Sequence, residues 1–277
     1  MNSSLSKAYR PRRSALFVPA ANARALEKAR GLAADVIILD LEDAVAPEEK
    51  DAARARAVAA MPGYASRETV IRVNSAGTPW HAADLEAVAN SGASAILLPK
   101  LTAPDEIAAA RRMAGRMPLW AMIESPRALL NAAAIADAGV ECLLLGSNDL
   151  LHAMEGRHRG DRANLHHAMS LCVLAARAAG IAVLDGVHND LDATEEFASS
   201  CTMARDFGFD GKSVIHPSQI STANRIFSPS AEEIAYARRV LEAFAASPGK
   251  GVITLDRRML EALDADIAAR TLARAGV

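Results

Sequence analysis

Short apolar runs alternate with longer amphipathic stretches along this chain. Eight runs stand out, at residues 14–19, 36–42, 69–74, 95–100, 119–124, 142–147, 181–187 and 212–217. Each has the length of a strand, is rich in Val, Ile and Leu, and lacks strict alternation. Strands covered on both faces, as in a parallel sheet, have this pattern. The segments between them read as helices. Residues 22–30 set Leu26 and Ala29 on one face. Residues 47–61 open with Pro47 and place Glu48 and Glu49 in the first turn, where the helix dipole favours acids. Thr102 stands as an N-cap before Pro104-Asp-Glu, and a long helix over 164–179 stops at Gly180. Strand and helix in eightfold alternation predict an α/β fold, a (β/α)8 TIM barrel. A doubly wound sheet is the alternative, weakened because no G-x-G-x-x-G follows the first run.

After Pro217 the alternation stops. Residues 230–246 read as a helix, 247–251 as a turn, 252–256 as a short extended piece and 258–275 as a last helix. Residues 1–225 are thus expected to form the barrel domain, and 226–277 an extension too short to make its own stable core.

Composition narrows the function. The chain has 277 residues, with 31 Lys and Arg against 33 Asp and Glu, a formal charge of −2. That balance argues against a nucleic-acid partner, which demands a basic excess. With 51% hydrophobic residues the chain can bury a large core. No run approaches the ~18 apolar residues of a membrane helix. The N-terminal stretch to Arg13 is polar and basic without an apolar segment, unlike a secretory signal. Cys142, Cys172 and Cys201 are odd in number, distant and outside any C-x-x-C pair, so neither a disulfide framework nor a zinc site is expected. These features describe a cytoplasmic protein.

The active site of such a barrel lies at the C-terminal ends of its strands. The runs carry Asp40, Glu42 and Asp43; Arg72 and Asn74; Lys100; Glu124; Ser147 with Asn148 and Asp149; Asp185; and His216 at those ends. Glu124 and Asp149 suit a Mg²⁺ site, since two carboxylates from neighbouring strand ends leave octahedral positions for substrate and water. Each could instead cap the helix that follows. Arg72, alone in an apolar strand, suits a bidentate grip on a carboxylate or a buried ion pair with Asp40 or Glu42. Asp40, Glu42, Asp43 and Lys100 read as residues that support the site from behind. His216 reads as substrate-lining at most. His152, His158, His166 and His167 read as surface.

These segments resemble the HpcH/HpaI aldolase and citrate lyase beta-subunit family, in its branch of CoA-ester lyases and malyl-CoA thioesterases. The matching pieces are Arg13-Ser-Ala-Leu-Phe-Val-Pro19, Leu39-Asp-Leu-Glu-Asp-Ala-Val45, Ile71-Arg-Val-Asn74, Leu98-Pro-Lys100, Ile123-Glu-Ser125, Leu145-Gly-Ser-Asn-Asp-Leu150, Gly208-Phe-Asp-Gly-Lys212 and Ile215-His-Pro217. A further match lies at residues 251–261. The resemblance implies a TIM barrel that forms homotrimers or hexamers, uses Mg²⁺, and has a C-terminal helical extension packing on a neighbouring subunit to complete the site or the oligomer. It places Glu124 and Asp149 at the metal ligands and Arg72 at the arginine that binds the oxo- or hydroxy-acid carboxylate. Phe17, Arg24 and Lys28 fall where relatives contact CoA, and Ile215 and His216 where they line the acyl-CoA pocket. Many lyases of the family carry Met-x-Asp in the extension, whose Asp acts as acid or base. Here the segment is Met259-Leu-Glu261, so Glu261 is the candidate. The implied partners are an acyl-CoA of the malyl-CoA type and a small 2-oxo or hydroxy acid.

The implied activity is Mg²⁺-dependent retro-Claisen cleavage of malyl-CoA-type esters. Hydrolysis of (3S)-malyl-CoA on the same scaffold is the alternative. The Glu in place of Asp, and Asn148 where other branches often have Glu, lean toward the thioesterases. A CoA-free class II pyruvate aldolase and a non-catalytic citrate-lyase-type subunit remain further alternatives.

Overall fold

In the computed structural model, which describes residues 9–64, 67–192 and 194–277, the eight apolar runs become strands. Residues 1–8 of the basic N-terminal stretch lie outside the described residues. The strands are β1 (Ser14–Pro19), β2 (Val36–Asp40), β3 (Glu68–Arg72), β4 (Ala95–Leu98), β5 (Leu119–Ile123), β6 (Cys142–Leu145), β7 (Ala182–Asp185) and β8 (Gly211–Val214). They pair in parallel, in sequence order, and β8 closes on β1. The helices of this part are α1 (Ala23–Ala29), α2 (Lys50–Ala60), α3 (His81–Ala89), α4 (Pro104–Ala114), α5 (Pro126–Leu130), α6 (Ala132–Asp137), α7 (Ser147–Ala153), α8 (His166–Ala178), α9 (Glu195–Phe207) and α10 (Ser218–Phe227). No helix among the described residues is long and apolar enough to cross a membrane.

Closure depends on a glycine. A Cβ on Gly211 would stand 1.9 Å from the Arg12 carbonyl oxygen, so only glycine lets β8 approach the chain entering β1. Two helix starts differ from the sequence pattern. Residues 47–61 begin with a 3₁₀ turn at Pro47–Glu49. Thr102 is not the cap of α4. Ala103 holds that position, and Glu106 reaches back to accept from the Thr102 and Ala103 N–H groups at 2.8 and 3.1 Å. A Glu three residues into a helix reaches orphan donors that Thr102 lies one position too early to serve.

Period two within the strands sets the interior. Ala15 and Phe17, Val36 and Ile38, Val70, Ala95 and Leu97, Trp120 and Met122, Cys142 and Leu144, and Leu184 share one core cluster. Burying each large aliphatic side chain there contributes about 1.5–3 kcal/mol. Below this layer Arg12 closes the barrel. Its guanidinium stacks 4.7 Å over the Trp120 ring and forks onto Glu68 at 2.7 and 2.8 Å. Above it, the same phase continues from Ile38 to Asp40, from Val70 to Arg72, from Met122 to Glu124 and from Leu144 to Gly146. The upper rim of the barrel is therefore polar because the inward register runs out of apolar residues there. All three cysteines are buried and free.

The chain divides into two compact units, the barrel at 12–225 and a second at 226–277 that includes the described residues 9–11. In the second, α11 (Ala231–Ala245) opens with a Ser230–Glu233 capping box. A hairpin of β9 (Val252–Leu255) and β10 (Arg258–Glu261) follows, then α12 (Ala262–Ala275). The expected helix over 258–275 is thus shorter by one strand. Asp256 and Arg257 both adopt positive φ, +52° and +65°, the two-residue turn that matches strand twist. Arg239 holds Asp256 in that turn at 2.6 Å. Ala237, Val240, Ile253, Leu260 and Ala268 form a small apolar cluster of this unit's own.

Candidate active site

Register builds the site from neighbouring strands. Asp40 and Arg72 are paired positions of β2 and β3, both facing inward. The Arg72 Nε and Nη2 atoms donate to the two Asp40 carboxylate oxygens at 2.7 Å each. Its Nη1 reaches Glu42 at 3.1 Å and Asp43 at 3.3 Å. The Phe17 ring lies 5.0 Å beneath the guanidinium carbon. Burial opposes the Arg72 charge, but Asp40 outweighs it and holds the guanidinium firmly protonated. Asp40 is itself braced, accepting from the Glu42 and Ala44 N–H groups at 2.9 and 3.2 Å. The substrate grip and the ion pair, alternatives from sequence, are both compatible with this geometry. The pair with Asp40 is present, and Arg72 still lines a cavity of about 350 Å³.

Phe17, Asp40, Asp43, Asp149 and Ile215 line the same cavity. Glu124 stands against its wall at Gly146. A Cβ there would lie 2.4 Å from Glu124 Cβ and 2.7 Å from its Oε2. Gly146 follows the registered pair Ile123 and Leu145, and its N–H donates to the Ile123 carbonyl at 2.9 Å. The Glu124 Oε1 atom accepts from the Lys100 N–H. Oε2 is buried without a hydrogen-bond partner. Burial pushes the Glu124 carboxyl up to about 7; the Lys100 N–H works against this, and the Asp149 charge adds to it.

Neither acid caps a helix. Ser125 caps α5 through its hydroxyl, which accepts from the Ala128 N–H, and Gly146 is the N-cap of α7 without a side-chain bond. The capping alternative for Glu124 and Asp149 therefore fails. Among the described residues no group of three or more His, Cys, Asp or Glu could hold a metal. What is present is an all-oxygen pair, one member with a bare buried oxygen. That donor set fits a hard cation completed by substrate and water.

Lys100, Arg24, Lys28 and His216, the other candidates of the barrel unit, are not among the residues that line this cavity. Lys100 is half-exposed, its ammonium 2.5 Å from Glu42 and 2.9 Å from Asp43. Burial pulls its pKa down, but these two carboxylates raise it above the ordinary lysine value. Arg24 and Lys28 are exposed on α1, which leaves the mouth end of β1. His216 shares a 2.8 Å contact with the Ser218 hydroxyl on the rim. Glu261 is exposed at the N-cap of α12, its N–H donating to Asp264 at 2.7 Å. His152, His158 and His167 are exposed and His166 half-buried.

Asp185 does not reach the mouth. It follows the inward Leu184 by one residue and so points outward. There Arg162 forks onto it at 2.6 and 2.7 Å and Lys212 donates at 2.6 Å, all behind the barrel wall. Sequence reasoning missed Arg162 and Lys212, and also Gln219. The buried Gln219 amide accepts from the Ile215 N–H at 2.9 Å and donates to the Asp190 carbonyl at 2.7 Å, tying two rim loops together. A neutral amide at a helix start gives no pattern that would announce this.

Comparison with known proteins gives the same picture. A family model described as HpcH/HpaI aldolase/citrate lyase matches residues 13–217. The (3S)-malyl-CoA thioesterase of Cereibacter sphaeroides is 44% identical over 270 residues, covering 96% of this chain and 95% of its own. Citrate lyase subunit beta of Escherichia coli is 38% identical, covering 96% and 94%. The crystal structure of protein CitE from Mycobacterium tuberculosis with magnesium, acetoacetate and coenzyme A is similar with a TM-score of 0.81 and 35% identity, covering 95% and 98%. A closed parallel barrel, a polar mouth built by its strand ends and relatives that span almost the whole chain lead to one statement: the chain belongs to the HpcH/HpaI aldolase/citrate lyase family.

Proposed function

We propose that this protein cleaves CoA thioesters of a small hydroxydicarboxylic acid, of the malyl-CoA kind, with Mg²⁺ held by Glu124 and Asp149. The observation that carries the reading is the bare, buried Oε2 of Glu124 beside a cavity lined by Asp149 and the Arg72 guanidinium. A bound Mg²⁺ supplies Lewis-acid stabilisation of the oxyanion that develops on the substrate. The remaining work falls to the chain. Arg72, locked by Asp40, presents its charge to the substrate carboxylate. Phe17 and Ile215 wall the acyl end, His216 lies on the rim beside them, and Arg24 and Lys28 meet the phosphates of CoA from α1. Glu261, from its own or a neighbouring subunit of a trimer or hexamer, serves as acid or base.

In carbon–carbon cleavage Glu261 takes the proton of the substrate hydroxyl and the bond to the acyl α-carbon breaks. A 2-oxo acid and the enolate of a shorter acyl-CoA result, and Glu261 returns that proton to the enolate carbon. In hydrolysis Glu261 removes a proton from water, the water oxygen bonds to the thioester carbonyl carbon, the C–S bond breaks and CoA leaves as the thiol. The 44% identity with a malyl-CoA thioesterase and the Glu at position 261 favour this second outcome. The citrate lyase beta subunits among the relatives favour the first.

The test is to mix the pure protein with Mg²⁺ and malyl-CoA and follow products by mass spectrometry beside a thiol assay. Glyoxylate with acetyl-CoA establishes the lyase; malate with free CoA establishes the hydrolase. Turnover that persists in excess EDTA overturns the metal reading. Glu261→Gln is expected to lower turnover by about 100-fold while substrate still binds, as loss of a general acid or base does. Loss of binding instead makes Glu261 a structural residue.

A further inference from the structure

Lys100 stands two residues beyond the end of β4 with a φ of +52°. A left-handed backbone is costly for a residue with a side chain and persists where surrounding contacts enforce it. The ammonium of the same residue pairs with Glu42 and Asp43, at 2.5 and 2.9 Å. In this conformation the Lys100 main-chain N–H donates to Glu124 Oε1. The other oxygen of the same carboxylate, Oε2, is buried and without a hydrogen-bond partner. Gly146 offers no side chain to displace it, since a Cβ there would lie 2.7 Å from that oxygen. The two oxygens of Glu124 are therefore used unequally: one is fixed by the chain and one is left bare.

We propose that Lys100 is a positioning residue, whose side-chain ion pairs lock the turn that aims its N–H at Glu124 Oε1 and so presents Oε2 to a divalent cation. The inference rests on the reading of Glu124 as a metal ligand given above. It carries a sign that simple electrostatics does not. Through space, removing the positive charge of Lys100 strengthens the binding of a nearby cation. If the side chain acts by holding the turn, removing it weakens that binding. Second-shell partners that orient a ligand are worth about 10–100-fold in metal affinity.

The experiment measures Mn²⁺ binding to the full chain by electron paramagnetic resonance, without substrate. Loss of binding in Glu124→Gln establishes the ligand. Undiminished binding in that variant overturns the metal reading, and this proposal with it. With the ligand established, Lys100→Met is expected to bind Mn²⁺ about 10–100-fold more weakly, and Lys100→Arg, which keeps the ion pairs, within about threefold of the parent protein. If Lys100→Met fails to fold, Lys100→Gln, which likewise loses the ammonium and its ion pairs while keeping a Cβ at the left-handed position, carries the same expectation of weaker binding. Binding in the Met or Gln variant as tight as in the parent, or tighter, overturns the positioning role.

Discussion

Two clusters of charge sit on opposite faces of the same barrel wall. Inside, Arg72 meets Asp40, Glu42 and Asp43 at the mouth, with Glu124 and Lys100 alongside. Outside, Arg162 and Lys212 meet Asp185 under α9. The outer cluster is complete. Lys212 and Asp185 are fully buried, and Arg162 also donates to the Ser200 hydroxyl at 3.2 Å. Burial would raise the Asp185 carboxyl, but Lys212 and Arg162 hold it down at about 2. The inner cluster is incomplete, leaving one carboxylate oxygen without a partner and one carboxyl near 7. A satisfied buried network fixes structure, whereas a deliberate gap in one leaves room for a ligand.

Substitutions can break that contrast. Glu124→Gln is expected to lower turnover about 1000-fold, on the scale of losing a main electrostatic contact, while the melting temperature stays level or rises. A large fall in melting temperature would make Glu124 as structural as Asp185. Asp185→Asn should show the reverse. It strips the partner from two buried cations and is expected to cost about 3–5 kcal/mol of stability, read by chemical denaturation, with turnover of the folded protein held within about twofold. Loss of turnover without loss of stability would move Asp185 into the site.

Acidity sharpens the comparison further. The folded Glu124 carboxyl is raised to about 7 from 4.5. In the cation-free protein this group therefore stabilises the fold at low pH and stops doing so as pH rises through 7. A cation must displace the proton, so Mg²⁺ affinity is expected to fall about tenfold for each pH unit below 7. Asp185 has the opposite sign. Its lowered value contributes stability above the ordinary carboxylate range, lost only as pH falls toward 2. A Mg²⁺ affinity unchanged between pH 7 and pH 6 would show that the Glu124 proton is not in competition with the cation. The smallest effect is Ser200→Ala, which removes one hydroxyl acceptor from the charged Arg162 guanidinium and is expected to cost about 1.5 kcal/mol. A cost of several kcal/mol would show that Ser200 is essential to the outer network.

The sequence made the inner cluster readable and hid the outer one for a single reason. Strands buried on both faces carry no alternation, so a run such as 181–187 does not tell which of its residues look inward. Asp185 and Glu124 both stand at or just past the end of an apolar strand, and only the register separates them. One residue of phase sends a carboxylate to the mouth or to the outer wall. Asp40, Arg72 and Glu124 were legible because polar groups interrupt otherwise apolar strands at the end where this architecture puts chemistry. Arg162 and Lys212 were not, since their partner was assigned to the mouth. The hairpin at 252–261 stayed hidden because its turn, Asp256-Arg257, lacks the glycine or asparagine that usually marks one. Pairing with β9 and the Arg239 contact overrode the helical pattern of residues 258–261.

The three buried cysteines turn the protein into its own reporter of opening. Burial raises each thiol above its ordinary value, so the native state offers an alkylating reagent almost no thiolate. Cys142 lies inside the barrel, while Cys172 and Cys201 lie on α8 and α9 outside it. The rate at which each becomes labelled therefore times two distinct events, the peeling of the helical layer and the breaking of the strand ring.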